Sequence, residues 1–128
     1  VEIRDVLSGR LIKGFTIDGH ASTIALGADY VALVVNHDPG VRVELYNLNG
    51  RFRIAAAVSS SVRHVAAAGR TVVFAVGRVI RQLDARTGAV TVLATARTTP
   101  VGPSIEGRRV VWAENSRGAA RIRAVTAP

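Results

Sequence analysis

The stretch VIRQLDARTGAVTVLATA, residues 79–96, reads as two β-strands folded about a Thr87-Gly88 turn. The same grammar occurs twice upstream, as VEIRDVL, SG, RLIKGFTI and as VRVELYNL, NG, RFRIAAAV. Aligning the turn glycines Gly9, Gly50 and Gly88 gives spacings of 41 and 38 residues. A second series, Gly27, Gly69 and Gly107, is spaced by 42 and 38 residues, so the two series keep step. A period near 40 residues marks a stacked or radial repeat.

Each repeat divides into the hairpin, a polar loop, a short strand of small residues (STIAL, VRHVAAA, VGPSIE), a second turn, and an apolar strand (YVALVV, TVVFAV, RVVWAE). Asn49-Gly50 is the strongest hairpin signal, because a two-residue type I′ turn needs positive φ at both positions. Asp5 and Asp84 stand four residues before a turn glycine, where a carboxylate accepts backbone or hydroxyl hydrogen bonds. Four antiparallel strands per repeat is the blade of a β-propeller. The expected fold is therefore all-β: propeller blades in about three four-stranded antiparallel sheets, forming a partial ring or half-propeller. The blade boundaries fall at residues 1–20, 21–58, 59–97 and 98–128. That leaves 13 strands, whereas closed propellers hold four to eight blades. Missing blades of a longer chain, or a second copy, are expected to close the ring. The absence of any Met favours a processed or excised piece.

Composition agrees with this fold. The 128 residues suffice for one domain with a substantial core. Apolar residues make up 48% and aromatics only 5%, so the core is built mainly from Val and Ala, which together favour sheet. The longest apolar run, YVALVV, is far short of the roughly 20 residues of a membrane-spanning helix. With no cysteine, disulfides, thiol nucleophiles and Cys-type zinc sites are excluded. The net charge of +8 comes almost wholly from arginine, Lys13 being the one lysine. Those arginines are scattered or alternate, as in Arg51 and Arg53 or Arg121 and Arg123, which places them on solvated strand faces. No block of like charge marks a nucleic-acid footprint.

GRTVVFAVGRVIRQLDARTGAVTVLATA, residues 69–96, resembles repeats of the TolB-like and quinoprotein-like propellers and, more distantly, WD-repeat proteins. The resemblance rests on Leu83, Asp84, Thr87 and Gly88 and on the strand openings GRTVVF and GRRVVW. Neither the Gly-His nor the Trp-Asp dipeptide of WD repeats occurs, and Tyr46 stands where Asp84 has its counterpart. The resemblance implies that loops between blades and between second and third strands gather at one end, the usual ligand end. Those loops hold Asp18, His20, Asn36, His37, Asp38, Arg97, Asn115 and Arg117, which are the candidate binding residues. It also implies an extracytoplasmic location.

Catalysis and metal binding find little support. Ser59, Ser60 and Ser61 with His20 or His37 and Asp38 supply the residue types of a triad, but no nucleophile-elbow pattern surrounds them. No HxH or HExxH spacing is present, and NHDPG reads as a long polar turn. His64 falls in the strand VRHVAAA, facing a channel or capping the core, and Trp112 packs between blades. No catalytic residue, metal or cofactor is expected. The leading function is a non-enzymatic scaffold presenting its loops to a protein, peptide or glycan. The alternative is a segment of a propeller hydrolase or dehydrogenase whose catalytic residues lie elsewhere.

Overall fold

The computed structural model describes residues 1–58 and 62–128. Among them thirteen strands form four antiparallel sheets, with no helix, and no sheet closes on itself. Sheet I pairs β1 (Glu2–Arg4) with β2 (Leu11–Gly14). Sheet II runs in the order β3 (His20–Leu26), β4 (Tyr30–His37), β5 (Gly40–Asn47) and β6 (Phe52–Val58). Sheet III repeats that order with β7 (Val65–Ala68), β8 (Thr71–Val76), β9 (Val79–Asp84) and β10 (Val90–Thr95). Sheet IV has three strands, β11 (Pro100–Glu106), β12 (Arg109–Ser116) and β13 (Ala119–Thr126). Within each sheet every strand pairs with its neighbour in sequence, and the leading strand β7 approaches both β3 and β11.

The sheets stack face on face because alternate residues of one strand serve two cores. In β8, Val72, Phe74 and Val76 pack toward sheet II beside Tyr30, Val34 and Leu45. Val73 points the other way, into a core with Ile80, Val110 and Trp112 between sheets III and IV. Sheet II is likewise covered on both faces: Val31, Leu33 and Val35 meet Ile3, Phe15 and Ile17 on the sheet I side. This double coverage explains why YVALVV is apolar without interruption. The end sheets are covered on one face each.

The hairpins show how carboxylates shape the turns. Asp84 Oδ1 accepts from the Arg86 and Thr87 backbone N–H groups, at 2.7 and 2.9 Å. Asp5 Oδ1 accepts from Leu7 N–H, Ser8 N–H and the Ser8 hydroxyl. These donors favour the charged carboxylates: the Thr87 and Arg86 amides, helped by Arg70, hold Asp84 down at about 2. A depressed carboxyl group stabilises the fold above its unfolded value and loses that contribution as pH falls. The Asp84 contribution is therefore complete above about pH 4 and disappears toward pH 2. Asp84→Asn is expected to remove that acid-limb slope while costing about 0.5–1 kcal/mol at neutral pH. Urea midpoints measured from pH 2 to 6 check it, and an unchanged slope would dismiss the role.

Three local expectations change. Asn49-Gly50 is not a two-residue type I′ turn: the loop spans residues 48–51, Gly50 N–H donates to Asn47 O, and only Gly50 takes positive φ. NHDPG is not a long turn either, because β4 continues through His37 and Gly40 already opens β5, leaving Asp38 and Pro39 as the turn. His64 lies outside β7, which begins at Val65, and is exposed.

Candidate functional site

Antiparallel pairing puts the β4–β5 turn and the β2–β3 connection at the same end of sheet II. His20 pairs with Asn36 across β3 and β4, and His37 pairs with Gly40. Gly19, at φ +94°, lies so close to this end that a Cβ there would come within 2.8 Å of Asn36 O. The chain thus presses against the end of β4, which gathers Asp18, His20, Asn36, His37 and Asp38. Four of the five are exposed, and His37 is half-buried.

Beneath them lies a buried polar network. His37 Nε2 is 2.7 Å from Glu44 Oε1, and the Tyr46 hydroxyl donates to Glu44 Oε2 at 2.8 Å. Glu44 is only 4% exposed, so both oxygens need such partners. One oxygen of Glu44 thus faces a ring nitrogen of His37 and the other the Tyr46 phenol. Tyr46 packs between Phe15 and Phe52, with ring centroids at 5.5 and 5.7 Å. Burial, and then its bond to Glu44, push the Tyr46 phenol up to about 12.

Tyr30, fully buried, is also pushed up to about 12, by burial and then by Asp29. A raised phenol stabilises the fold fully below its unfolded value and loses that contribution as pH rises. Since these are both of the chain's tyrosines, stability is expected to fall between about pH 10 and 12. Tyrosinate absorbance should rise with unfolding rather than before it. A titration near the ordinary value with the fold intact would contradict the burial described.

At the corresponding end of sheet IV stand Arg97, Asn115 and Arg117. Asn115 pairs with Ala120 one residue before the end of β12, and Ser116, the last residue of β12, pairs with Ala119 across a two-residue turn. Arg117 and Gly118 fill that turn with φ of 45° and 78°, both positive as in a type I′ hairpin. Arg117 is the one described non-glycine residue in that region. A second buried carboxylate lies below: Trp112 Nε1–H donates to Glu114 Oε1 at 2.9 Å, and Arg123 Nε stands 4.0 Å from Oε2. The Trp112 bond leads the causes that hold the Glu114 carboxyl below its ordinary value.

The eight candidate residues therefore form two groups, on sheets II and IV, with sheet III between them. Serines 59–61 lie outside the described residues. Among the described residues no group of three or more His, Cys, Asp or Glu side chains is placed to hold a metal ion, and no helix is long and apolar enough to cross a membrane. Sequence reasoning missed Glu44, Tyr46 and Glu114. The available signal was the acidic residue inside VRVELYN: next to a strand buried on both faces, Glu44 has no solvent face to occupy.

No family model and no curated protein matches this sequence. Among solved structures the chain is similar to the computationally designed Ika4 protein, with TM-score 0.61 and 10% identity over 88% of this chain and 94% of that one. It is also similar to the computationally designed Ika8 protein, with TM-score 0.68 and 19% identity over 94% of this chain. The alignment takes in 38% of Ika8, so this chain spans well under half its length. At these identities the likeness is one of fold.

Proposed function

We propose that the chain is a β-propeller segment acting as a non-enzymatic binding module, presenting its loop end to a protein, peptide or glycan. One observation carries the reading: at the sheet II end, exposed Asp18 and Asp38 in the connecting segments and exposed His20 and Asn36 on β3 and β4 lie over the hydrogen-bonded network of His37, Glu44 and Tyr46. Polar groups preorganised on a rigid sheet lose little entropy on binding. The stacked sheets of repeated strand order and the resemblance to TolB-like blades support the propeller reading, although fold alone does not assign function.

The test is a labelled chain applied to peptide and glycan arrays, beside a variant carrying Asp38→Ala and Arg117→Ala. Both residues are exposed, so the variant is expected to keep the native melting temperature and lose at least tenfold in array signal. No bound feature, or equal signal from the variant, would end the proposal.

The same reading requires cover for the open ends. Ile24 and Leu26 are 56% and 65% exposed beside the two-stranded sheet I, and Ile122 is 73% exposed on the outer face of sheet IV. Apolar surface of this kind and the free edge of β13 invite association. Light scattering separates the two covers. A discrete mass near twice 13.5 kDa assigns them to a second copy, and a monomer or a spread of aggregates assigns them to further blades.

A further inference from the structure

The pairing of β12 with β13 sets Glu114 opposite Arg121 and Trp112 opposite Arg123, so these side chains share one face of sheet IV. That face looks toward the β10–β11 connection, which carries Arg97 and Thr98. Together with Ser116 they line an open cleft of about 270 Å³.

The charges in this cleft do not balance. Three guanidinium groups meet one carboxylate, a local excess of two positive charges. Glu114 is already engaged by the Trp112 indole at 2.9 Å, and Arg123 stands at 4.0 Å, the outer limit of an ion pair. Among the described residues no carboxylate lies within 4 Å of the Arg97 or Arg121 guanidinium, although Arg97 adds to the positive field that favours the charged Glu114. Thr98 belongs to the same lining, but its hydroxyl oxygen is closed off from solvent and has no hydrogen-bond partner, so it is not open to a ligand.

We infer that this cleft binds an acidic sugar: a single uronate residue whose carboxylate lies between Arg97 and Arg121. Guanidinium groups hold carboxylates with paired N–H donors. The remaining lining suits a hydroxyl-rich ring, since the Ser116 hydroxyl both donates and accepts while Glu114 accepts. A simple acidic side chain would use the arginines and leave those groups idle. The volume suits one sugar rather than a drug-sized ligand. This inference deepens the binding-module reading by naming a ligand class for its sheet IV end.

The experiment is a titration of the isotope-labelled chain followed by amide and arginine Nε NMR signals, with glucuronate, glucose and N-acetylaspartate amide as probes. The single tryptophan, Trp112, adds a fluorescence readout beside the site. Glucuronate is expected to give saturable shifts at Arg97, Thr98, Ser116 and Arg121, with at least tenfold weaker binding of the other two probes. An Arg97→Gln, Arg121→Gln variant should lose at least tenfold in glucuronate affinity, while Arg86→Gln, in the β9–β10 turn, changes nothing. Absence of saturable shifts overturns the inference. So does equal binding of N-acetylaspartate amide, which would make this an acidic-residue site. Shifts that persist in the double variant would mean diffuse attraction to a basic chain, and would also overturn it. If glucuronate fails while array binding stays sensitive to Asp38→Ala and Arg117→Ala, the inference falls and the binding-module reading stands.

Discussion

Phe74→Ala is expected to cost about 3–5 kcal/mol, which is a large part of the roughly 5–15 kcal/mol that holds a typical domain together. Phe74 is fully buried in the core between sheets II and III, where it shares space with Tyr30, Val34, Leu45 and Leu83. Removing its ring takes contacts from both sheets at once, and β-strands cannot shift inward to refill the space without breaking their register. Val73→Ala, one residue earlier, empties the other core, between sheets III and IV, and removes far less volume, so about 1–2 kcal/mol is expected. Urea denaturation of the two variants reads the difference. Equal and small losses would mean that the two faces of β8 do not belong to two separate cores.

Gly27→Ala should be nearly as damaging, for a reason its neighbours in the repeat do not share. A Cβ at Gly27 would overlap the ring of Tyr30, which is fully buried and held at the sheet II–III boundary by its hydroxyl, 3.4 Å from Thr71 O. The ring has nowhere to retreat, so the cost lies at the upper end of overpacking, about 3 kcal/mol, or roughly 10 °C in Tm. Gly69, its counterpart one repeat on, faces open space at φ +56°. Gly69→Ala therefore costs only the backbone penalty, about 1–2 kcal/mol. A Tyr30→Leu background should relieve much of the Gly27 penalty and none of the Gly69 penalty. Additive effects in that double-mutant cycle would remove the steric explanation.

These two glycines mark where sequence reasoning stops. Spacing alone makes Gly27, Gly69 and Gly107 equivalent, and the division into two, four, four and three strands follows from it. The hydrogen bonds of Asp5 and Asp84 were legible as well, because they are local: each carboxylate reaches donors two or three residues away. What stayed hidden depends on packing between sheets. The closeness of Tyr30 to Gly27, the burial of Glu44 beneath His37, and the cleft over Glu114 all arise because a neighbouring sheet or connection covers a strand face. The type I′ geometry shows the same limit. Asn49-Gly50 has the preferred residues, yet both positive φ angles occur at Arg117-Gly118, where the register of β12 and β13 leaves room for two residues only.

The one-sided cover of sheets I and IV has a kinetic counterpart. Amide protons of β4 and β8 should exchange only through global unfolding, because both strands are sandwiched on both faces. The β1–β2 ribbon, with exposed Leu11 and Ile12 and only a few residues resting on sheet II, should open as a separate unit of much lower free energy. Its amides would exchange orders of magnitude sooner, and a protease would cut there first. The molecule then behaves as a stiff two-sheet spine with yielding ends, which are the places where a further blade or a second copy would have to grip.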